Sequence, residues 1–440
     1  MDPKEIVKLV KDHRVDVIRM SFTDVQGTLK GLNISVSELE RAMEEGIAFD
    51  GSSIEGFVRI EESDLIAMPD LDSFRLFPFD TGGLKSAVFI CNVLKADGTP
   101  FESDPRRVLI RALERANSMG FEHFYVGPEL EYFYFSSPNS PDVPDSAGYF
   151  DILPLDESSQ AREETLSILQ TLGMQMEATH HEVAAGQHEI DFRYGDALKL
   201  ADQVVLAKIV VKHVARKHGL YATFMPKPIQ GCNGSGMHVH QSLFTSTGNA
   251  FYSDEDVYNL SPVARKYIAG LIHYAPEMTA ITNQTVNSYK RLVPGYEAPA
   301  YISWGRRNRS TLVRVPNFKK GKPNSCRIEY RAPDPACNPY LSMAVMLHAG
   351  LEGINQNMAL CEPIEDNIFA MSQERKDELG IRSLPGDLLS ATKKSAKSDF
   401  LKKALGPGLF NTFVANQFAE WDHYRIQVTD YELKTYLPTL

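Results

Sequence analysis

The hydrophobic pattern opens with two short apolar-rich runs, RVDVIRMSF and TLKGLNI, separated by TDVQG. Asp and Gly favour a turn there, so residues 14–34 predict a β-hairpin. A helix is expected next. SVSELERAMEEG carries Ser cap candidates with Glu three residues on, Leu39 and Met43 at helical spacing, and Gly46 as a stop. SAVFICNVL then reads as a buried strand. Strand, turn, strand, helix and strand make a compact mixed unit.

Ser103 and Pro105 open a further helix running through about Ala116 and ended by Gly120. This places the domain boundary near residue 104, giving domains 1–104 and 105–440. Beyond it, strand-like runs HFYVGPELEYFYF, MQMEATHHEV, QHEIDFRY, YATFMPK and GSGMHVHQSL alternate with helical stretches. The longest of these are ALKLADQVVLAKIVVKHVARKHG and the segment from Tyr340 to Met358. The pattern is α+β with a large sheet. Residues 283–325, rich in Gly, Pro and Asn, read as functional loop.

Composition narrows the class. A chain of 440 residues suits two domains, and 43% hydrophobic with 23% charged residues describes a globular protein. The net charge of -11 argues against nucleic acid or an anionic membrane as partner, since both need a basic face. The 5 cysteines are odd in number and form no Cys-x-x-Cys pair, which points to a reducing cytoplasm. MDPKEIVKLVKDHRVDV has charges through its apolar positions and no signal-peptide core, and no run approaches membrane-spanning length. A soluble protein is expected.

Candidate chemistry lies in the alternation of acids. In GPELEYF, Glu129 and Glu131 project from one face of a strand. In HHEVAAGQHEIDF, Glu182 precedes a tight turn and Glu189 follows it, so a hairpin would bring both acids together. His238 and His240 share a strand face in NGSGMHVHQS, as do Arg327, Glu329 and Arg331 in RIEYR. Five carboxylates (Glu129, Glu131, Glu182, Glu189, Glu329) and the His238 imidazole form a hard ligand set suited to two Mg²⁺ or Mn²⁺ ions. Any one Glu is roughly nine times in ten a solvated surface group. Together, flanked by apolar neighbours, such acids are costly without a cation.

Arg291, Arg309, Arg314, Arg327 and Arg331 cluster around Glu329 in an otherwise acidic chain. Guanidinium groups grip phosphates and carboxylates in two-pronged geometry, so anionic ligands are expected, with surface salt bridging the weaker reading. Neither a Gly-x-x-x-x-Gly-Lys-Ser/Thr loop nor a Gly-x-Gly-x-x-Gly fingerprint is present, so an ATP site must be of another design. NGSG at 233–236 reads most simply as a turn.

KPIQGCNGSGMHVHQSL, RLVPGYEAP, NRSTLVRVP and RIEYRAPDPACNPY, with DGSSIEGF, GPELEYF and HHEVAAGQHEI, resemble the class I glutamine synthetases of bacteria and archaea across nearly the whole chain. The resemblance implies a small N-terminal β-grasp-like domain and a larger catalytic domain of the glutamine synthetase/guanido kinase-like kind. It also implies a dodecamer of two stacked hexameric rings with active sites between neighbouring subunits. Glu131, Glu182 and Glu189 resemble ligands of a first metal, and Glu129, His238 and Glu329 those of a second. Arg291, Glu297 and Arg309 match positions touching glutamate or the transferring phosphate, and Arg331 matches the clamp on the substrate carboxylate. Asn233 and Gly234 match the loop meeting the amino acid. Glu177, Tyr194, His240 and Ser242 match places near ATP, with Arg314 and Arg327 also on the nucleotide side. Asp50 resembles a residue that reaches a neighbouring subunit's site to bind ammonium and take its proton, where Tyr149 and Glu182 complete the pocket.

The implied chemistry is ATP-dependent: glutamate attacks the γ-phosphate, and ammonia displaces phosphate from the acyl phosphate to give glutamine. Phe369, in DNIFAMSQE, stands where the adenylylated subclass carries a modifiable Tyr, so no adenylylation is expected. The shorter C-terminal region resembles the subclass under direct feedback, in which an Arg matching Arg59 senses glutamine; small regulatory proteins are a further class of partner. Three rivals differ in chemistry. A γ-glutamyl ligase for larger amines conflicts with the small anionic pocket implied by Asp50 and Tyr149. A non-catalytic relative conflicts with competent residues at every matched position. A zinc hydrolase built on His238 and His240 lacks a third nitrogen or sulfur ligand.

Overall fold

The computed structural model describes residues 1–52, 54, 64–306, 308–318 and 321–440. Arg59 lies outside them, as does much of DGSSIEGF.

The N-terminal part begins with helix α1 (Pro3–Asp12), which the sequence reading passed over although Asp2 caps it and Pro3 starts it. The expected hairpin follows as β1 (Val17–Thr23) and β2 (Leu29–Ser35), paired antiparallel from Val17 opposite Ser35 to Thr23 opposite Leu29. Ser35 caps a short turn of helix that runs on into α2 (Leu39–Glu45), and Gly46 ends it at φ 70°. Strands β3 (Ile47–Asp50), β4 (Asp64–Pro69), β5 (Arg75–Thr81) and β6 (Leu84–Lys95) complete the sheet. Its order is β2-β1-β6-β4-β3 with β5 also on β6, and among the described residues only β1 and β6 run parallel. Phe22, Phe74, Phe89 and Ile18 fill a small core of its own.

Helix α3 (Pro105–Ser118) is capped by Asp104, whose carboxylate accepts from Arg106 N, and not by the expected Ser103. Its Arg106 is 3% exposed and joins the two parts of the chain. The guanidinium donates to Asp70 at 2.6 Å, to Asn92 at 2.5 Å and twice to Asp202, at 3.0 and 2.9 Å.

The larger sheet contains β7 (His123–Phe135), β8 (Met176–His181), β9 (Gln187–Phe192), β10 (Gly195–Asp196), β11 (Tyr221–Thr223), β12 (Met237–Thr245), β13 (Gly248–Asn249), β14 (Tyr301–Gly305), β15 (Thr311–Arg314), β16 (Ile328–Tyr330) and β17 (Arg382–Ser383). Its main path is β17-β14-β15-β16-β12-β7-β9-β8. The stretch 283–325, expected as loop, holds β14 and β15 and the short helix Ser288–Arg291. Trp304, Leu312 and Val313 are fully buried there, so apolar packing outweighs the local Gly and Pro content. YATFMPK, expected as a strand, pairs only over β11.

Behind the sheet lie α4 (Ser159–Thr171), α5 (Ala197–Lys217), α6 (Pro262–Thr282) and α8 (Pro339–Asn355), while the short α7 (Ser288–Arg291) brings Arg291 to the cleft. Leu130, Ile190, Met237, Val239 and Ile328, alternating with the polar positions of their strands, join one continuous core with these helices. One face of the sheet is thereby dry. The other is left for chemistry.

Candidate active site

Strand register builds the site. Residues directly opposite in an antiparallel pair share a face. Glu129 on β7 faces His238 on β12 and Asp191 on β9; Glu131 faces Glu189; Glu329 on β16 faces His240 and Arg314. Period-two alternation keeps Glu129 with Glu131, and His238 with His240, on that same face. Residues spread over some two hundred positions thus meet on adjacent strands. Glu182 closes the group from the β8–β9 hairpin, where its N–H donates to Gln187 O at 2.7 Å.

Contacts confirm the convergence. His238 Nδ1 lies 3.1 Å from Glu129 Oε2, and His240 Nε2 lies 2.7 Å from Glu129 Oε1. Glu131 accepts from Gln187 Nε2 at 2.8 Å and from Gly236 N at 2.9 Å. Glu329, fully buried, accepts from Arg314 at 2.7 Å and from Arg331. Arg327 Nε donates to His240 Nδ1 at 3.2 Å. Ligand atoms of Glu129, His238 and Glu329 lie within 4.8 Å of one another, as do those of His180, Glu182 and Glu189, and of Glu129, Glu189 and Asp191.

Charge makes this arrangement expensive for protein groups alone. Burial and the Glu182 carboxylate push Glu131 up to about 8, and burial with Glu129 pushes Asp191 to about 7. Glu189 is raised as well, by burial and then Glu131. Glu329 is buried and Glu129 half-buried, yet their carboxyls stay below the usual range, because His240 and His238 offset the desolvation of Glu129, and Arg331 and Arg314 that of Glu329. Burial and Arg331 depress His238, keeping its imidazole neutral and suited to ligate a cation. The donor set is rich in carboxylates, which fits hard divalent ions and not the nitrogen and sulfur set of a zinc site.

A cavity of about 330 Å³ opens over these groups. Glu129, Glu131, Glu182, Glu189 and His238 line it together with Arg291, Glu297, Arg309 and Arg331. Tyr149, Asn233 and Gly234 complete the rim. Glu297 takes a left-handed backbone with φ 58°, and its carbonyl lies 3.5 Å from Arg331 Nη2. Arg291 is 2% exposed and held by three carbonyl contacts from residues 331–333. Gly236 lies tight beside it: a Cβ there would lie 2.5 Å from Arg291 Nη2 and 2.9 Å from His238 Nε2, so either side chain would have to shift. NGSG is thus more than a turn; it lets side chains press against bare backbone.

Other predicted residues fall outside the cavity lining. Glu329, Arg314, Arg327 and His240 lie next to it through the contacts above. Glu177 is exposed on β8, Tyr194 is exposed with its ring edge-on to Tyr125 at 5.8 Å, and Ser242 is buried opposite Tyr125. Asp50 ends β3 in the N-terminal sheet, fully exposed, with its carboxyl lowered by Ser52. A single chain does not bring it to the cavity. Phe369 packs near Tyr301, ring centres 6.2 Å apart.

Sequence reasoning missed Asp191, Gln187 and His180, which also line the cavity. The same alternation that singled out Glu189 in QHEIDF marks Gln187 and Asp191 two residues to either side. Behind them, Asp145, Asp156, His181 and His188 form a second cluster of possible ligands. It is a brace instead. Arg162 pairs with Asp156 and lies 2.9 Å from His188, while His181 spans Asp145 at 3.1 Å and Glu182 O at 2.7 Å. A guanidinium already supplies the positive charge there.

Residues 102–436 match the family described as glutamine synthetase, catalytic domain, and residues 14–96 match glutamine synthetase, beta-Grasp domain. The chain belongs to the glutamine synthetase family. A glutamine synthetase of Clostridium saccharobutylicum is 49% identical over 99% of this chain and 98% of its own length. One from Staphylococcus epidermidis is 46% identical, covering 98% and 97%. Among solved structures, an ADP complex of GmaS superposes with a TM-score of 0.88 at 31% identity, covering 98% of this chain and 99% of that one. Plasmodium falciparum glutamine synthetase, at 24% identity, has the same fold with a TM-score of 0.88 over 99% of both chains. The α+β architecture with a β-grasp domain is therefore that of glutamine synthetases, enzymes whose family uses ATP and a divalent metal. Among the described residues no helix is long and apolar enough to cross a membrane.

Proposed function

We propose that this chain joins ammonia to glutamate through a γ-glutamyl phosphate, within the ATP-dependent glutamine synthesis that its full-length likeness to glutamine synthetases carries. The observation supporting the residue roles is the register of β9, β7, β12 and β16, which stacks acids and a neutral imidazole under a cleft that arginines also line.

Glu131, Glu182 and Glu189 hold one divalent cation in this reading, and Glu129, His238 and Glu329 a second, with Mg²⁺ or Mn²⁺ suited to the oxygen-rich set. The raised carboxyls of Glu131 and Glu189 are the sign of fit, since cationic charge is what they lack. Bound metals would supply charge that neutralises the phosphate oxygens in transfer. Arg291, Arg309 and Arg331 bind and orient the carboxylates and the transferring phosphoryl group by bidentate contacts. Asn233 and Gly234 receive the amino acid, with Tyr149 at the ammonium end. Glu177, Tyr194, His240, Ser242, Arg314 and Arg327 serve the nucleotide. Glu297 excludes water from the acyl phosphate.

Asp50 completes the site from a neighbouring subunit, taking a proton from bound ammonium. Its exposure in the N-terminal sheet, away from the cavity lining, supports a site shared between subunits, as stacked hexameric rings would provide. Division at residue 104 is supported by the Asp104 cap that starts the catalytic part. The Phe369 ring has no hydroxyl, which supports control by direct feedback and not by adenylylation. A cytoplasmic setting agrees with 5 free cysteines.

A steady-state assay tests the reading: glutamine formation that requires ATP, glutamate, ammonium and a divalent metal is expected. Faster turnover of an organic amine than of ammonium would transfer the site to a different γ-glutamyl ligase.

A further inference from the structure

Lys227 takes no part in the roles above, yet it lies directly beneath two of the segments that have them. It is 9% exposed. Its ammonium donates to the backbone carbonyl of Cys232, the residue before Asn233. The same ammonium stands 4.0 Å from the centre of the Tyr296 ring, next to Glu297. One buried cation thus touches both the loop proposed to receive the amino acid and the segment proposed to exclude water.

The base of this contact is rigid. Asn287 accepts from Lys227 N at 2.7 Å and donates to Lys227 O at 3.0 Å, which fixes the backbone from which the side chain rises. Ser235 N donates to Pro226 O at 2.8 Å, holding the far end of the loop. A Cβ on Gly234 would collide with that same Pro226 oxygen and stand 3.2 Å from Lys227 Cδ. The loop lies on Lys227 with no intervening space. The segment around Tyr296 has no comparable anchor: Pro294 and Gly295 before it are exposed, Tyr296 is half-buried, and Glu297 is exposed with a left-handed backbone. Its tie to the rest of the cleft runs through the Tyr296 ring on the ammonium and the Glu297 carbonyl near Arg331.

We propose that Lys227 is a positioning residue that couples the amino-acid loop at Cys232–Gly234 to the Tyr296–Glu297 segment, so that the cleft closes over the acyl phosphate with the loop in place. The inference rests on reading the cleft as the glutamate site. Its consequence is chemical. In a loosened cleft, water oxygen attacks the acyl carbon of γ-glutamyl phosphate, the bond to the phosphate oxygen breaks, and inorganic phosphate leaves. Glutamate is regenerated, the water proton passes to solvent, and one ATP is lost with no amide formed.

The test compares phosphate released with glutamine formed, at saturating ammonium, in the full-length assembled protein. The wild type is expected to release one phosphate per glutamine. Lys227→Met is expected to release more, and its KM for glutamate to rise roughly two- to tenfold, the range that one cation–π contact supports. Lys227→Arg keeps a cation near the ring and restores the ratio. Tyr296→Leu, a half-exposed change that leaves the fold intact, gives the same leak and carries the test if Lys227→Met does not fold. Combining both changes adds nothing beyond the larger single effect, since they break one contact. A ratio of one in both single variants, or multiplying effects in the double variant, overturns the proposal. A wild type that makes no glutamine would instead remove the reading on which it rests.

Discussion

Replacing Glu329 by Gln keeps the shape of a side chain that is 0% exposed but deletes the charge shared by Arg314 and Arg331. Two consequences separate. The first is structural: removing one partner from a buried ion pair costs about 3–5 kcal/mol, and the amide oxygen, which still accepts one bond, holds the loss near about 3 kcal/mol. Glu329→Ala would leave both guanidinium groups bare and confuse lost metal with lost packing, so the amide is the cleaner substitution. The second consequence is functional. A cation bound only by the native state at a hundred times its Kd adds about 2.7 kcal/mol of stability. Glu329→Gln, lacking a proposed ligand, is expected to lose most of that increment together with ATP- and glutamate-dependent phosphate release. Thermal midpoints with and without Mg²⁺, read alongside phosphate release, measure both. An undiminished metal-linked rise with wild-type phosphate release would refute the metal assignment.

Three further outcomes are expected. Mixing subunits of Asp50→Asn with subunits of Glu329→Gln, each inactive alone, should restore about a quarter of the sites if each site joins two chains; no recovery after verified subunit exchange would refute the shared site. Asp202→Asn leaves the Arg106 guanidinium short of its bidentate partner and also disturbs Tyr340, whose hydroxyl donates to Asp202 at 2.6 Å. A loss of about 3 kcal/mol should appear as a lower midpoint of thermal unfolding. Metal binding should release protons at pH 7, because the Glu131 carboxyl, raised to about 8, is largely protonated there and must ionise to ligate. Apparent affinity for Mg²⁺ should rise with pH between about 6 and 8 and flatten above, as calorimetry in buffers of different ionisation enthalpy would report.

Much of this site was legible because strand geometry converts spacing into direction. Glu129 and Glu131 in GPELEYF, and His238 and His240 in MHVH, could be placed on single faces from alternation alone. The hairpin of HHEVAAGQHEI also followed from local residues. What alternation cannot supply is which strands become neighbours: that Glu329 stands opposite His240 depends on a pairing between segments almost ninety residues apart. Strands β14 and β15 stayed hidden because their Gly- and Asn-rich surroundings mask short apolar runs whose burial is decided by α6 and the rest of the core. Lys227 gave no signal, since a lysine before proline looks like any surface cation until Tyr296 and Cys232 are seen against it. Helix α1 was different: Asp2 and Pro3 announce it, and its cap is readable from these two residues alone.

The wet and dry faces of the large sheet differ by a single residue of phase. Adding or deleting one position within β7 would rotate Glu129 and Glu131 into the hydrocarbon beneath and lift Leu130 into the cleft. Changes of length are therefore tolerated in the connections and not within such strands, whose interior behaves as a ruler that cannot be recut.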